Sequence, residues 1–305
     1  MSEIRGFYDE LCERIPQNRV KTGESMSRHT TFRTGGPADY YAEPADAEEL
    51  SAVIELCRRE QIPYYILGNG SNLLVGDGGY HGVMIAMNGP WSWIRQEEDT
   101  IRAGAGTLLS AVARQALLSS LAGLEFASGI PGSLGGAVVM NAGAYGSEME
   151  QILTTATVLD PESGVKTLSR KELELGYRTS CILSRGYVVL EAELKLQPGK
   201  EEEIRAVMND LAQKRKSRQP LEYPSAGSTF KRPAGYFAGK LIEDAGLSGF
   251  TVGGAQVSEK HCGFVINRDH ATASDVIGLC REVQRRVLEE SGVSLELEVK
   301  TLGEF

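Results

Sequence analysis

Seven glycines fall within the 24 residues of segment 123–146, in a chain that has 35 glycines in 305 residues. Glycine is concentrated where the backbone must adopt a positive φ or must approach another surface closely. The G-S-L-G-G segment at 132–136 offers backbone N–H groups with no Cβ in the way, and Ser133 adds a hydroxyl donor, which suits a bound phosphate or flavin. A tight structural loop explains the same glycines, so both interpretations stay open at this point.

A second glycine-containing loop, G-N-G-S-N-L-L-V at 68–75, follows a predicted strand at 62–67. Leu73 stands where a Rossmann fingerprint has its third glycine, and the chain continues into strand-like V-M-I-A instead of a helix. We therefore reject a Rossmann fold. The loop keeps phosphate-binding chemistry, because it combines glycine and serine with asparagines that tolerate left-handed backbone.

Three other segments carry reactive polar groups. Y-R-T-S at 177–180 and S-A-G-S-T-F-K-R-P at 225–233 each mix such groups with turn residues. The ending V-S-L-E-L-E-V-K at 293–300 alternates apolar and charged residues, which predicts a closing strand with Glu298 on its polar face. From this pattern alone, a solvent-facing edge accounts for Glu298.

Helices and strands must position these segments. Asp46 and Glu49 form a capping-box pattern that predicts a helix after Pro44, whose buried face holds Leu50, Val53, Ile54 and Cys57. A strand at 100–106 precedes a second helix, capped near Thr107 and stopped at Gly123. The inward residues predicted for that helix are Leu108, Leu109, Val112, Ala116 and Leu117. Strands then predominate to about residue 196, which favours an α+β class.

The last third of the chain is predicted to form a separate unit. Pro198-Gly199-Lys200 is the best linker candidate, and a helix at 201–216 follows it, whose basic end complements the helix dipole. Thr272 and Asp275 occupy capping-box positions of a final helix that Gly292 ends.

Composition excludes several classes of protein. A net charge of −9 argues against general binding to nucleic acid or anionic membranes. The first twenty residues lack the apolar run of a signal peptide, and no segment is apolar enough to span a bilayer. Five cysteines without a C-x-x-C pair fit reduced cytoplasmic thiols, and four histidines show no metal-ligand spacing, so we expect a cytoplasmic protein without a metal.

Seven ordered motifs between about residues 29 and 303 resemble the UDP-N-acetylenolpyruvoylglucosamine reductase (MurB) family, in particular its shorter subgroup. They are H-T-T-F-R-T-G-G-P-A at 29–38, the loops at 68–75 and 129–146, Y-R-T-S, S-A-G-S-T-F-K, G-G-A-Q-V-S-E-K-H-C-G-F-V-I-N at 253–267, and L-E-V at 297–299. Together the seven motifs are far more specific for this family than any one of them is.

The resemblance implies a vanillyl-alcohol-oxidase (PCMH)-type FAD-binding domain of two subdomains, at 1–95 and 96–200. A smaller α+β substrate domain at 201–305 follows. It also implies noncovalent FAD, with NADPH as co-substrate. The implied cofactor-binding residues are Gly68, Asn69, Gly70, Ser71, Asn72, Leu73, Gly129, Ile130, Pro131, Gly132, Ser133, Gly135, Gly136, Ala137, Asn141 and Gly143.

The implied reaction reduces UDP-N-acetylglucosamine enolpyruvate to UDP-N-acetylmuramate for peptidoglycan synthesis. By resemblance, Arg178 and Glu298 stabilise the enolate, and Ser228 donates a proton to C2. Glu298 would be useful in this role chiefly when protonated, which requires burial. Serine is a weak acid, so Ser228 needs neighbouring donors or a water relay.

The implied substrate-binding residues are Tyr177, Arg218, Gly227 and Lys231. Many family members have asparagine where this chain has Arg232, and that position is left as either a substrate contact or a solvated side chain. The alternative function is another oxidase of the same flavin fold, which would not need a proton donor such as Ser228. We expect a monomer with no nucleic-acid partner and no membrane insertion.

Overall fold

The structure is a computed structural model that describes residues 2–305, with side chains from residue 6 onward. Its helices are α1 Ser2–Arg14, α2 Ala47–Arg59, α3 Leu109–Leu118, α4 Leu134–Val139, α5 Cys181–Arg185, α6 Glu201–Arg218, α7 Ala238–Asp244 and α8 Ala273–Ser291. Its strands are β1 Val20–Ser25, β2 Pro37–Ala42, β3 Tyr64–Leu67, β4 Leu73–Val75, β5 Tyr80–Ala86, β6 Ile94–Glu97, β7 Thr100–Gly104, β8 Leu121–Ala122, β9 Gly143–Ala144, β10 Ser147–Glu148, β11 Leu153–Asp160, β12 Gly164–Ser169, β13 Val188–Lys195, β14 Gln197–Pro198, β15 Thr251–Val252, β16 Ala255–Val257, β17 Val265–Asn267 and β18 Lys300–Leu302.

The chain forms two compact units, and each is assembled from three segments. The first unit comprises Met1–Thr22, Tyr40–Asn69 and Gly82–Gln213, and the second comprises Gly23–Asp39, Gly70–His81 and Lys214–Phe305. Each unit has its own hydrophobic core. The division into subdomains at residues 95 and 200 stays a prediction.

A five-stranded antiparallel sheet with the order β12-β11-β13-β7-β6 dominates the first unit. Its centre is a row of buried alanines, in which Ala156 pairs with Ala192 and Ala192 with Ala103. A second sheet has the order β1-β2-β5-β3, with β3 and β5 parallel. The loop after β3 leads into β4 and β5 and not into a helix, which confirms the rejection of a Rossmann fold.

The beginning of α2 shows which part of the capping prediction is correct. The Asp46 carboxylate caps the helix by accepting from the N–H groups of Glu48 and Glu49 at 3.0 and 2.9 Å. Glu49, however, accepts from Ala45 N–H at 2.7 Å and forms an ion pair with Arg19 at 2.6 Å. The Arg19 hydrogen bond lowers the pKa of Glu49, which fixes it as a charged partner.

The prediction for α3 is wrong at its N-terminus. The residue before the helix is Leu108, whose side chain cannot cap and is 46% exposed, so it does not face the core. The hydroxyl of Thr107 instead donates to the carbonyl of Trp93 at 3.0 Å. The helix ends before Ser119, four residues earlier than the glycine that was predicted to stop it.

The second unit is built around α8, which has the predicted capping box of Thr272 and Asp275 and ends at Gly292 with a φ of +70°. The backbone hydrogen bond from Thr272 outweighs desolvation and lowers the pKa of Asp275. Asp77 adds a second cap, because its carboxylate accepts from the N–H groups of Ala273 and Ser274, both at 2.8 Å.

The closing strand is shorter than predicted. Only Lys300–Leu302 forms β18, which pairs in parallel with β4. Residues 293–299 are irregular, although Leu295 and Val299 are buried as the alternation predicts. Within the portion of the chain described, no helix has both the length and the apolar composition needed to cross a membrane.

Candidate active site

Two predicted cofactor loops approach each other within the first unit. A Cβ added to Gly68 would lie 2.4 Å from the Ser133 hydroxyl oxygen, so only glycine allows this approach without a shift of the serine. Asn69 donates from its side-chain nitrogen to the carbonyl of Pro131. The two segments that the sequence analysis singled out are therefore in direct contact here.

The hydroxyl of Ser133 has a structural role. The side chain is 3% exposed, and its oxygen accepts from Gly136 N–H at 3.4 Å as the N-cap of α4. A hydroxyl that accepts in this way keeps its own proton, so it can still donate to a ligand. The predicted contact of Ser133 with a ligand therefore stays a prediction.

The glycines of the dense segment divide into two kinds. Gly135 and Gly143 pack against protein, since an added Cβ would lie 2.8 Å from the Ala105 Cβ and 2.6 Å from the Ser147 carbonyl oxygen, respectively. Gly136 is exposed, and its added Cβ would meet only the Ser133 oxygen at 3.4 Å. The structural interpretation therefore applies to Gly135 and Gly143, and the ligand-binding interpretation stays open for Gly136.

The exposed edge formed by Gly68 and Gly136 fits a planar or anionic group such as FAD. A methyl group at Gly136 would fill open space beside the backbone, which is the property expected of a glycine that a cofactor approaches. In the described part of the chain, no backbone carbonyl accepts from the N–H groups of Gly68 and Asn69. These N–H groups can donate to a phosphate or a flavin.

The remaining predicted cofactor residues of the first unit lie within the glycine-rich segment 129–146. Gly129 and Ile130 are half-buried in a turn, in which Ile130 N–H donates to the Ala127 carbonyl. The Gly132 carbonyl accepts from Leu109 N–H at 2.9 Å. Ala137 and Asn141 are buried. The side chain of Asn141 accepts from Glu150 N–H and donates to the Gly176 carbonyl.

The Y-R-T-S segment forms a tight turn in the same unit. Gly176 and Thr179 exchange two backbone hydrogen bonds of 3.1 and 3.2 Å, so Tyr177 and Arg178 occupy its tip. Arg178 has a φ of +55°, which is uncommon for a residue other than glycine. Its guanidinium lies over the Tyr177 ring at 5.2 Å and donates to the carbonyl of Gly143 at 3.1 Å.

The neighbouring Cys181 thiol is buried. Burial raises the pKa of Cys181, and its sulfur lies 3.2 Å from the Glu172 carbonyl oxygen. A neutral thiol is a poor nucleophile.

The second half of the 68–75 loop belongs to the second unit. Gly70 has a φ of +60°, and an added Cβ would lie 1.9 Å from the His29 carbonyl oxygen, so this glycine is structural. Ser71 is half-buried, and Leu73 is buried in β4. Asn72 donates from its side chain to the carbonyl of Glu298 at 3.1 Å.

Backbone pairing brings the segments of Ser228 and Glu298 together. The carbonyl of Thr229 accepts from Glu298 N–H at 2.9 Å, and Phe230 forms a bridge with Leu297. Ser228 is exposed and Glu298 is half-buried, so the expectation of a solvent-facing edge holds only in part for Glu298.

Thr229 is a residue that the sequence analysis missed. It is 1% exposed, and its hydroxyl accepts from Val265 N–H at 2.9 Å while its carbonyl holds Glu298. It thereby fixes the backbone immediately after Ser228 against two other segments of the chain. In the sequence, only the order of the motifs indicates that Thr229 pairs with Glu298, because these two residues lie about 70 residues apart along the chain.

The predicted substrate-binding residues of the second unit are accessible. Arg218 is exposed at the end of α6, and Gly227 has a φ of +73°. Lys231 pairs with Glu296 at 3.0 Å. Arg232 lies over the Phe237 ring at 4.0 Å and donates to the Tyr236 carbonyl at 3.3 Å, so its side chain is held against the protein surface.

Comparison with known proteins gives this arrangement its class. A family model described as an FAD binding domain matches residues 38–169. A grass pollen allergen with glucose dehydrogenase activity, 13% identical, shares the fold over 63% of this chain and 44% of its own, with a TM-score of 0.50. Together these matches show an FAD-binding fold in this part of the chain.

The relatives narrow the class further. A model of the C-terminal domain of UDP-N-acetylenolpyruvoylglucosamine reductase matches residues 219–302. Reductases of that name from Agathobacter rectalis and Clostridium perfringens are 53% and 50% identical, over 98% and 99% of this chain and 99% of each relative. The Thermus caldophilus MurB crystal structure has a TM-score of 0.80 at 38% identity, covering 93% of this chain and 99% of that one. The chain belongs to the UDP-N-acetylenolpyruvoylglucosamine reductase family, which confirms the resemblance.

Proposed function

We propose that this protein reduces UDP-N-acetylglucosamine enolpyruvate to UDP-N-acetylmuramate, with NADPH as the reductant and FAD as the cofactor. The observation that carries the proposal is the full-length identity of about half to reductases of this name. When bound, FAD supplies the hydride-transfer chemistry between NADPH and the enolpyruvyl group. The product is a precursor of peptidoglycan.

Arg178 is proposed to stabilise the charge that develops on the substrate carboxylate. A guanidinium carries five N–H donors and a permanent charge, so its bond to the Gly143 carbonyl is compatible with a second bond to a carboxylate. Its position at the tip of a two-residue turn supports this role, because the turn limits the orientations of the side chain.

Ser228 is proposed to donate the proton to C2, and Glu298 is proposed to stabilise the enolate together with Arg178. Their backbones are connected through Thr229, and the Glu298 carbonyl is held by Asn72. The exposure of Ser228 supports access to a substrate, and a hydroxyl needs only to rotate to present its proton. That Arg178, Ser228 and Glu298 act on one substrate is part of the proposal.

We propose that the UDP portion of the substrate is bound by four residues: Lys231, Arg218, Gly227 and Tyr177. The two cations have exposed or half-exposed side chains, which is compatible with the diphosphate charge. Gly227 allows the left-handed backbone immediately before Ser228. The cytoplasmic location and the monomeric state, a particle of 33.0 kDa, stay predictions that fractionation and light scattering test.

Separate measurement of the two half-reactions tests the proposal. Wild-type protein should bind FAD, NADPH should bleach it, and the enolpyruvyl substrate should restore the absorbance anaerobically. Ser228→Ala should keep the first half-reaction and slow the second by about 10²–10⁴-fold, the range for loss of a general acid. Ser225→Ala, in the same motif, is the matched control and should keep both rates.

The possible failures have different meanings. Normal turnover by Ser228→Ala removes Ser228 from the mechanism but leaves the reductase intact. A wild-type protein that reduces its flavin with NADPH and never passes the electrons to the enolpyruvyl substrate refutes the proposed function itself.

A further inference from the structure

The side chain of Asn141 forms a buried bridge between two backbone segments. It is fully buried, and its oxygen accepts from Glu150 N–H at 2.9 Å while its nitrogen donates to the Gly176 carbonyl at 3.2 Å. Because an N–H group can only donate and a carbonyl can only accept, these partners fix the orientation of the amide. Asn141 has a φ of +41°, a conformation that asparagine tolerates better than most residues.

Gly176 is the first residue of the turn that carries Arg178. Arg178 has a positive φ, and a non-glycine residue keeps such a conformation only where its surroundings over-determine it. At this turn the surroundings include two hydrogen bonds across the turn, between Gly176 and Thr179. The Asn141 bond then fixes the carbonyl that lies at the base of the turn.

Two other bonds connect the turn to the same segment of chain. Ser180, on the far side of the turn, donates from its hydroxyl to the Val139 carbonyl at 2.8 Å. Arg178 itself donates to the Gly143 carbonyl at 3.1 Å. Residues 139–143 therefore hold the turn at its beginning, its tip and its end, and Asn141 is the side chain that holds the beginning.

We propose that Asn141 is a positioning residue that acts through Arg178. It fixes the turn so that the guanidinium is held in one place relative to the glycine-rich segment that binds FAD. This inference rests on the proposed function, because the catalytic role of Arg178 belongs to it. It assigns the Asn141 side chain a task distinct from the contact with FAD that the family resemblance implies.

A double-mutant cycle tests the inference. Asn141→Asp keeps the size, the acceptor and the tolerance of positive φ, but places an oxygen against the Gly176 carbonyl. Asn141→Gly keeps the backbone conformation and removes the bridge without adding a buried charge, which covers the case in which the first variant does not fold. Each is made with Arg178 present and in an Arg178→Ala background.

We expect each Asn141 variant to slow flavin reoxidation by the enolpyruvyl substrate about tenfold when Arg178 is present, a typical coupling for residues in one hydrogen-bond network. In the Arg178→Ala background the same change should have less than about a twofold effect. FAD affinity and flavin reduction by NADPH should change equally in both backgrounds. A merely structural role would slow both half-reactions and would not depend on Arg178.

Asn267 provides the matched control, because it forms the same kind of bridge in the second unit. It donates to the Phe32 carbonyl at 3.0 Å and accepts from Ala271 N–H at 2.8 Å. Asn267→Asp should have the same effect in both backgrounds. Equal effects of the Asn141 variants in both backgrounds, or equal coupling at Asn267, overturn the inference. Full turnover by Arg178→Ala alone refutes the proposed role of Arg178, and the inference with it.

Discussion

Gly136→Ala should affect stability and cofactor affinity in opposite directions. Gly136 lies within α4, where alanine is favoured over glycine by about 0.5–1 kcal/mol. The new methyl group would contact only the Ser133 oxygen, at 3.4 Å, so the protein without FAD should be equally stable or slightly more stable. The same methyl group fills the open space that FAD is proposed to occupy. Forced overpacking costs about 1–3 kcal/mol, roughly a 5- to 150-fold weaker Kd.

Two measurements on FAD-free protein check this prediction: urea unfolding and FAD titration followed by flavin fluorescence. Gly135→Ala is the control, since its Cβ would lie 2.8 Å from that of Ala105. That variant should lose about 1–3 kcal/mol of unfolding free energy because its clash is internal. A Gly136→Ala protein that binds FAD as tightly as wild type would refute the assignment of this edge to the cofactor.

Three other predictions follow from single contacts. Gly68→Ala should weaken FAD binding and lower the free energy of unfolding, each by about 1 kcal/mol. Adding Ser133→Ala should relieve the clash, because the atom nearest to the new Cβ of residue 68 would then be the Cβ of residue 133, at 3.6 Å. Purely additive losses in FAD titrations would contradict this prediction. Asp275→Asn should cost about 1 kcal/mol at pH 7. Because folding lowers the pKa of Asp275, this difference in urea unfolding should shrink as the pH falls below about 4 and should vanish only below the lowered pKa of the folded protein; a difference that does not change with pH would be inconsistent with the charged cap. Lys231→Gln should raise the KM for the UDP-sugar. The free energy of unfolding should change by less than about 1 kcal/mol, because the ion pair of Lys231 with Glu296 is exposed. An unchanged KM excludes Lys231 from substrate binding.

Features that depend on neighbouring residues could be predicted from the sequence. The caps at Asp46 and at Thr272 with Asp275 involve groups within three residues of each other, and both are present. Glu49 also fits the local pattern, but its carboxylate binds Arg19, 30 residues away. A local rule has no information about that competing partner.

The glycines show the same limit within the candidate site. The sequence predicts that some of them lie beside a ligand, but Gly135 and Gly136 are adjacent and have different surroundings. Which one faces Ala105 and which one faces open space depends on how α4 packs. The connection of Glu298 to Thr229 is also tertiary, and it exists without the regular strand that the alternation predicts.

An anaerobic single-turnover measurement tests whether the flavin passes the electrons of NADPH to the enolpyruvyl substrate. Protein reconstituted with FAD is reduced by one equivalent of NADPH, and UDP-N-acetylglucosamine enolpyruvate is then added without oxygen. The proposed function predicts that the flavin absorbance returns and that one UDP-N-acetylmuramate forms per FAD. A flavin that stays reduced until oxygen is admitted, with the enolpyruvyl substrate recovered unchanged, would contradict it.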